Sequence, residues 1–192
     1  MEEMIRQQLE ESARVKLMVA EQLIPHIVKA AAMITESYRQ GGKLLLIGNG
    51  GSAADAQHIA GEFVGRFKLE RKALPAIALT TNTTILTALS NDYGGDLLFV
   101  RNVEALANHK EDVLLAISTS GISPNIVQAV TVAKKNGIKV IGLTGKDGGT
   151  LKNLVDLAIV VPSHDTQRIQ EAHIAIGHVI CDVVERSMFG AS

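Results

Sequence analysis

The sequence predicts a three-layer α/β domain in which helices cover both faces of a five-stranded parallel sheet. Short, continuous apolar runs alternate along the chain with stretches of helical periodicity, the pattern of buried parallel strands joined by helices. Four of the turns that follow a predicted strand are rich in Gly, Ser, Thr and Asn. Because 192 residues are enough for one sizeable core, residues 1–192 are expected to form a single domain.

Two helices are expected before the first strand. Over residues 3–23 apolar side chains recur every three or four positions, which indicates an amphipathic helix. A second helix is predicted over residues 25–38, since Pro25 suits a first helical turn and Gly41 with Gly42 can end the helix. The apolar stripes of these helices need a partner surface, so residues 1–40 are expected to serve oligomerisation.

The rest of the chain alternates between strand and helix. Strands are predicted at residues 43–48, 75–79, 112–118, 138–144 and 157–162. Helices are predicted from the first glycine turn to residue 66, from residue 84 onward, over 97–107, from the third strand's turn to residue 135, and over 166–188. Ligands of parallel sheets bind outside the carboxyl ends of the strands. The turns expected at that edge are 48–52, 80–84, 118–123 and 144–149.

Composition argues against several classes of partner. The formal net charge of -1 and the pI of about 6.6 show no basic excess for nucleic acid, and 3% aromatic residues without Trp offer no base-stacking platform. The sequence contains no run of 18 apolar residues, so no membrane span is predicted. The charged start MEEMIRQQLEE lacks a signal core, and the lone Cys181 stands in an apolar run. A cytoplasmic protein with a buried thiol is therefore expected.

The first glycine turn formally satisfies a dinucleotide fingerprint, G-x-G-x-x-A, at Gly48, Gly50 and Ala53. That fingerprint also needs an acidic residue about 20 positions later, and the second strand ends in LTTNTT without one. The chain also contains no G-x-x-x-x-G-K-[ST] phosphate loop. No nucleotide cofactor is therefore expected.

The turn AISTSGISPN places a group of hydroxyls between a strand and a helix. The hydroxyl residues are Ser118, Thr119, Ser120 and Ser123. Backbone N–H groups at a helix start attract anions, and hydroxyls can donate around phosphate oxygens. The alternative is that Ser123 merely caps the helix and the others form a polar turn. The local sequence does not separate these two interpretations.

Two histidines could take part in chemistry. His58 and Glu62 are four residues apart and lie on one helix face, where they could ligate a metal or transfer protons; the alternative is an ordinary solvated face. His178 stands in the apolar run IAIGHVIC, which suggests a buried histidine with a hydrogen-bond partner or one in a proton-transfer site. The other four histidines, including His173, receive no role.

Taken together, the motifs GNGGSAADAQH…GEF, SND, AISTSGIS, LTGKDGG and RIQEAHIAIGH resemble the phosphosugar-binding SIS-domain family. Within it they are similar to the phosphoheptose isomerases over nearly the whole chain. The resemblance implies a flavodoxin-like sheet of five parallel strands and a homotetramer. It also implies interconversion of sedoheptulose 7-phosphate and D-glycero-D-manno-heptose 7-phosphate, which begins ADP- or GDP-heptose synthesis for lipopolysaccharide core or surface-layer glycans.

The resemblance also implies site residues. The substrate would be contacted by Asn49, Gly50, Gly51, Ser52, Asn91, Asp92, Gln170 and, at its phosphate, Ser118, Thr119, Ser120 and Ser123. One zinc ion would be bound by His58, Glu62, Gln170 and His178. Glu62 and His178 are also the implied acid/base pair.

Two departures from the family pattern stand near these residues. Ile122 and Pro124 replace an Asn and a small residue in the serine turn, which is expected to keep phosphate binding but change the shape of the loop. Gln167 precedes Arg168 where some members carry an acid, and Asp165 is the nearest candidate to compensate.

A non-catalytic tetrameric adaptor that binds the bacterial replication initiator is the alternative function. It shares the fold and much of the sequence, but departs at the positions that match Glu62 and His178 and at one glycine of the NGG turn. Gly51, Glu62 and His178 are all present here. A histidine inside an apolar helix is costly unless its nitrogens find partners, which favours the enzyme.

Overall fold

A computed structural model describes residues 1–190 and has a five-stranded parallel sheet at its centre. The strands are β1 (Leu44–Gly48), β2 (Ala76–Ala78), β3 (Val113–Ser118), β4 (Lys139–Gly145) and β5 (Leu157–Val161). Their hydrogen-bonded order is β2-β1-β3-β4-β5, with every neighbouring pair parallel. Each strand falls within or beside its predicted range, so the predicted sheet is confirmed.

Helices cover both faces of the sheet. They are α1 (Glu2–Gln22), α2 (Ile24–Arg39), α3 (Gly51–Val64), α4 (Thr83–Tyr93), α5 (Val100–Leu106), α6 (Pro124–Lys135), α7 (Leu151–Leu154) and α8 (Thr166–Phe189). The helix predicted over 97–107 is shorter, because a 3₁₀ turn at Gly95–Leu97 precedes α5. The single turn α7 was not predicted.

The alternation of strand side chains divides the core into two layers. Leu44 and Leu46 of β1 pack with α1, α2, α3 and α8, whereas Leu45 and Ile47 pack with α5, α6 and α7. All five residues of β1 are buried, and so are all six of β3. A strand covered on both faces has no polar side, which explains the continuous apolar runs in the sequence.

The strand order brings two functional turns together. From β1 the chain passes to β2 on one side, and then crosses to β3 on the other side of β1. Gly48 at the end of β1 pairs with Ile117 near the end of β3. The turns that follow these strands therefore leave the sheet side by side, and such a switch point is where ligands bind in open parallel sheets.

The two N-terminal helices pack on α8 and leave apolar side chains in solvent. The axes of α1 and α2 meet at 73°, and both helices contact α8. The exposed apolar side chains are Met4, Ile5, Leu9, Leu17, Ile24 and Val28. Over residues 1–190 no single helix is long and apolar enough to cross a membrane, although the bent α1–α2 pair meets the length and composition test jointly.

Candidate active site

A carboxylate and two imidazoles converge between α3 and α8. The Nε2 atoms of His58 and His178 are 2.9 Å apart, and His58 Nε2 lies 3.1 Å from Glu62 Oε1. His58 and Glu62 share a helix face as their spacing predicts, while His178 comes from α8, 120 residues along the chain. We call these three residues the His–Glu cluster.

The close packing of α3 on α8 makes this convergence possible. Gly177 precedes His178, and a Cβ added there would lie 2.6 Å from Ile59 Cδ1. Ile59 is itself buried and neighbours His58. The absence of a side chain at Gly177 therefore lets the two helices approach at the level of the cluster.

The His–Glu cluster fits a divalent metal. One ligand atom from each of the three residues lies within 4.8 Å of the other two. Zinc binds imidazole nitrogen and carboxylate oxygen at about 2.0–2.2 Å, and a tetrahedral site needs ligand atoms a little over 3 Å apart, close to the separations seen. Two imidazole nitrogens that face each other at 2.9 Å must share a proton or a cation.

Gln170, the predicted fourth ligand, lies against the glycine turn. A Cβ added to Gly51 would collide with the Gln170 side-chain amide, so the glycine leaves room for the amide in this position. Gln170 is on the same helix as His178, eight residues earlier. The side chain therefore links the turn after β1 to α8, and its role as a metal ligand stays a prediction.

The turn after β1 has the backbone that its glycines suggest. Gly50 adopts a φ of +55° at the start of α3, a conformation that disfavours other residues. A Cβ at Gly48 would approach the Ser52 carbonyl oxygen to 2.5 Å, so the strand and helix meet tightly. Ser52 is buried in the first turn of α3, while Asn49, Gly50 and Gly51 are exposed.

The serine turn, residues 118–123, is organised by its own hydroxyls. Ser118 Oγ and Ser123 Oγ are 3.1 Å apart, and the backbone N–H of Gly121 donates to Ser118 Oγ at 3.2 Å. Ser123 is at the N-cap position of α6, but its side chain makes no capping hydrogen bond. Ser123 therefore does not cap α6 through its side chain, and phosphate binding by these hydroxyls stays a prediction.

Ile122 and Pro124, the departures from the family pattern within the serine turn, are both accommodated there. Pro124 takes the first position of α6, where a missing N–H costs nothing. Ile122 is 61% exposed. Its side chain lies close to Gly149, because a Cβ added to that glycine would be 2.7 Å from Cγ2 of Ile122. Leu151 N–H donates to the Gly121 carbonyl at 2.9 Å, which joins the serine turn to the segment after β4.

A reciprocal amide pair bridges the two neighbouring turns. Asn49 Nδ2 donates to Asn125 Oδ1 at 2.8 Å, and Asn125 Nδ2 donates back to Asn49 Oδ1 at 2.9 Å. Asn125 was not among the predicted site residues. Asn125 lies in the first turn of α6, directly after β3. Together with the strand order, that position could have identified it.

Asn91 and Asp92 stand apart from these groups. Both are exposed near the end of α4, and Asn91 Nδ2 donates to Asp92 Oδ1 at 2.8 Å. Among the hydrogen bonds of residues 1–190, none joins either side chain to the serine turn or to the His–Glu cluster. Their contact with substrate stays a prediction.

Asp55 lies one turn before His58 and was also missed. Burial raises the pKa of Asp55 to about 6, and the neighbouring His58 opposes that rise. One of its carboxylate oxygens has no partner within the described part of the chain. A buried carboxyl beside a histidine was not recognisable from the sequence, because its burial depends on how α3 packs.

The expected burial of His178 is wrong, and His173 is the buried histidine. His178 is half-buried and stacks against Phe67, with ring centroids 5.7 Å apart. His173 is fully buried, and its Nε2 lies 3.0 Å from the Thr144 carbonyl oxygen, to which it donates. The five-residue offset turns His173 toward β4 and His178 toward α3, which an apolar run alone does not reveal.

We expect His173 to make stability depend on pH. Burial lowers the pKa of His173 to about 4, despite its hydrogen bond to Thr144, so the unfolded chain binds this proton first as pH falls. Its contribution is full above the unfolded pKa of 6.5 and is lost toward pH 4, by up to about 3 kcal/mol. Urea unfolding between pH 7.5 and 4.5 should show a steeper loss in the wild type than in His173→Gln.

The exposed His164 provides the control for this prediction. His164→Gln should keep the wild-type pH slope, because the His164 side chain lies in solvent and not in the core. Equal slopes in the wild type and His173→Gln would contradict the assignment.

Several known proteins are similar to this chain in sequence and in structure. The SIS domain family matches residues 8–145. A phosphoheptose isomerase of Roseiflexus sp. (strain RS-1) is 55% identical over 182 residues, 95% of this chain and 92% of that protein. The solved phosphoheptose isomerase from Neisseria gonorrhoeae has a TM-score of 0.91 at 42% identity, covering 96% of this chain and 98% of its own. That from Francisella tularensis has a TM-score of 0.92 at 41% identity, covering 96% and 97%. The chain therefore belongs to the phosphoheptose isomerase family of SIS-domain enzymes.

Proposed function

We propose that this protein converts D-sedoheptulose 7-phosphate to D-glycero-D-manno-heptose 7-phosphate, the first step toward ADP- or GDP-heptose precursors. The observation that carries the proposal is the His–Glu cluster, in which Glu62 and His178 converge on His58. The relatives named phosphoheptose isomerase support the substrate class.

Interconversion of a ketose and an aldose moves a proton between C1 and C2 through an enediol. A base must stand beside those carbons, and an acid must serve their oxygens. Glu62 and His178 are the proposed pair, because a positioned carboxylate and a positioned imidazole can each transfer a proton to or from a substrate. Oε1 of Glu62 faces His58, which leaves its second carboxylate oxygen for the substrate.

We further propose that His58, Glu62 and His178, with Gln170, hold one zinc ion. Bound zinc would stabilise negative charge developing on the substrate oxygens and orient them. The donor set of two imidazoles, a carboxylate and an amide suits zinc but is not unique to it. Gln170 would also position the sugar, since its amide lies against Gly51 in the adjoining turn.

Phosphate and sugar are assigned to the neighbouring turns. Ser118, Thr119, Ser120 and Ser123 would hold the phosphate. The sugar would be contacted by Asn49, Gly50, Gly51, Ser52, Asn91 and Asp92. Binding the phosphate away from the reacting carbons lets that binding energy orient C1 and C2 at the His–Glu cluster.

The protein is also proposed to be a cytoplasmic homotetramer. A homotetramer would cover the exposed apolar side chains of α1 and α2, which otherwise remain in water. A cytoplasmic location is consistent with the single cysteine, Cys181, whose thiol is buried and whose pKa burial raises to about 12. Light scattering should give a mass about four times that of the 20.5 kDa chain.

The activity is tested by incubating the purified protein with sedoheptulose 7-phosphate, with and without zinc, and measuring aldose formation. We expect turnover. Fructose 6-phosphate is the control substrate; it is one carbon shorter, so an anchored phosphate would misplace its C1 and C2, and turnover should be slower. No aldose under either condition would refute the proposal.

The adaptor function makes a different prediction. The geometry favours the enzyme, because the residues at which the adaptor departs, Glu62 and His178, meet in one cluster here. A pull-down against the bacterial replication initiator should capture nothing. Specific capture together with absent turnover would support the adaptor instead.

A further inference from the structure

We propose that Arg71 and Glu185, a buried ion pair outside the His–Glu cluster, are positioning residues that hold His178 in the orientation the cluster requires. Arg71 Nε donates to Glu185 Oε1 at 2.9 Å, and each side chain is only 1% exposed. The proposal rests on the proposed function in treating the cluster as the reaction centre. Its structural part, the placing of His178, can be tested without metal or substrate.

Glu185 organises the segment that follows α3. Its carboxylate accepts hydrogen bonds from the backbone N–H groups of Phe67, Lys68 and Leu69 at 2.9, 2.7 and 2.9 Å. With Arg71, four donors surround one carboxylate. A buried carboxylate is stable as an anion only when hydrogen-bond donors and a cation compensate its charge. Residues 67–71 must therefore wrap around Glu185.

Arg71 holds the carboxyl end of α3. Its guanidinium donates to the carbonyl oxygens of Glu62 at 2.9 Å and Phe63 at 2.8 Å, and also to that of Gly65 at 3.2 Å. The last carbonyls of a helix lack partners within it, and a cation there also complements the helix dipole. Arg71 therefore fixes the end of the helix that supplies His58 and Glu62.

The same contacts reach His178 through Phe67. The Phe67 ring stacks on the His178 imidazole with centroids 5.7 Å apart and an interplanar angle of 27°. Glu185 is seven residues after His178, two turns along the same face of α8. Glu185 thus holds the Phe67 backbone while Phe67 covers the imidazole, and this sets where His178 Nε2 points.

A second buried carboxylate serves as the matched control. Asp112 is fully buried, and it accepts from the backbone N–H groups of Lys43 and His109 and from Lys43 Nζ. It precedes β3, at the amino edge of the sheet, and none of its partners belongs to the His–Glu cluster. Asp112→Asn therefore disturbs a similar buried network without touching the site.

The test is the NMR resonance of the His178 imidazole in metal-free protein labelled with ¹³C-histidine. His178 is identified by the resonance that His178→Gln removes. Glu185→Gln should move this resonance toward its random-coil position, because the Phe67 ring no longer shields it, while Asp112→Asn should leave it in place. Arg71→Lys, which keeps the charge but loses the fork of donors, should give a smaller shift and covers the case in which Glu185→Gln fails to fold.

A second measurement connects the placement to the site. With Co²⁺ alone as the probe, Glu185→Gln should bind at least about tenfold more weakly than wild type, as mutation of outer-shell partners typically does. The visible absorption spectrum of bound Co²⁺ should also change. An unchanged His178 resonance in the folded Glu185→Gln or Arg71→Lys variant would overturn the proposal. Wild-type protein that binds no Co²⁺ would count against the metal site alone, and absent turnover against the isomerase alone.

Discussion

Glu62→Gln is expected to lower turnover of sedoheptulose 7-phosphate by about 10²- to 10⁴-fold, the range that a positioned acid or base contributes. The amide is nearly the same size as the carboxylate but cannot take up a proton. His178→Gln should lower turnover by a similar factor, because His178 is the other member of the proposed acid/base pair and reaches the cluster from α8. The measurement is kcat at saturating substrate for each purified variant.

A substrate-binding measurement distinguishes a variant that has lost catalysis from one that has failed to fold. Both variants should still bind sedoheptulose 7-phosphate by calorimetry, since the serine turn is untouched. Glu104→Gln, at an exposed position on α5, is the control and should keep wild-type kcat. Near-normal turnover in Glu62→Gln or His178→Gln would remove that residue from the proposed acid/base pair.

Gly121→Ala is expected to weaken substrate binding by about 10- to 100-fold in kcat/KM, consistent with the 1–3 kcal/mol that such backbone strain costs. Gly121 has a φ of +68°, and an added Cβ would overlap the Gly148 carbonyl oxygen. The Leu151 N–H bond to Gly121 resists any movement that would relieve this contact. The serine turn must therefore deform, and steady-state kinetics should show the loss mainly in KM.

Gly137 isolates the effect of the steric overlap. It has a similar φ of +77°, but an added Cβ there meets nothing within 4 Å. Gly137→Ala should cost about 1–2 kcal/mol of stability through the same backbone preference while leaving KM unchanged. If Gly121→Ala keeps the wild-type KM, the serine turn is not the phosphate site.

The sheet was predictable because its strands are buried on both faces. β1 and β3 contain only side chains that pack into one of two apolar layers, so each appears as an apolar run of strand length. The turn α7 was missed because its four residues are too few for helical periodicity to show. The strand order could not follow from these runs, since it depends on crossovers between distant segments.

Local spacing predicted only part of the site. His58 and Glu62 could be paired because i,i+4 residues share a helix face. Their meeting with His178, 120 residues away, was supplied by the family resemblance and is present in the structure. No periodicity could have distinguished the half-buried His178 from the fully buried His173.

Residues that act through long-range polar contacts were not predictable. Arg71 and Glu185 are 114 residues apart, and nothing in either local segment indicates that both are buried. Asn49 and Asn125, 76 residues apart, face each other only because β1 and β3 are neighbours. Such pairs require the tertiary arrangement, since burial and not residue type determines what the charges and amides do.

The most direct test is a crystal structure of the protein with sedoheptulose 7-phosphate and added zinc. The proposed function predicts one zinc ion on His58, Glu62 and His178, with C1 and C2 of the sugar beside Glu62 and His178. It also predicts phosphate oxygens within hydrogen-bond distance of the serine turn. Substrate bound with its phosphate elsewhere, or zinc at saturating concentration that avoids the His–Glu cluster, would contradict this assignment.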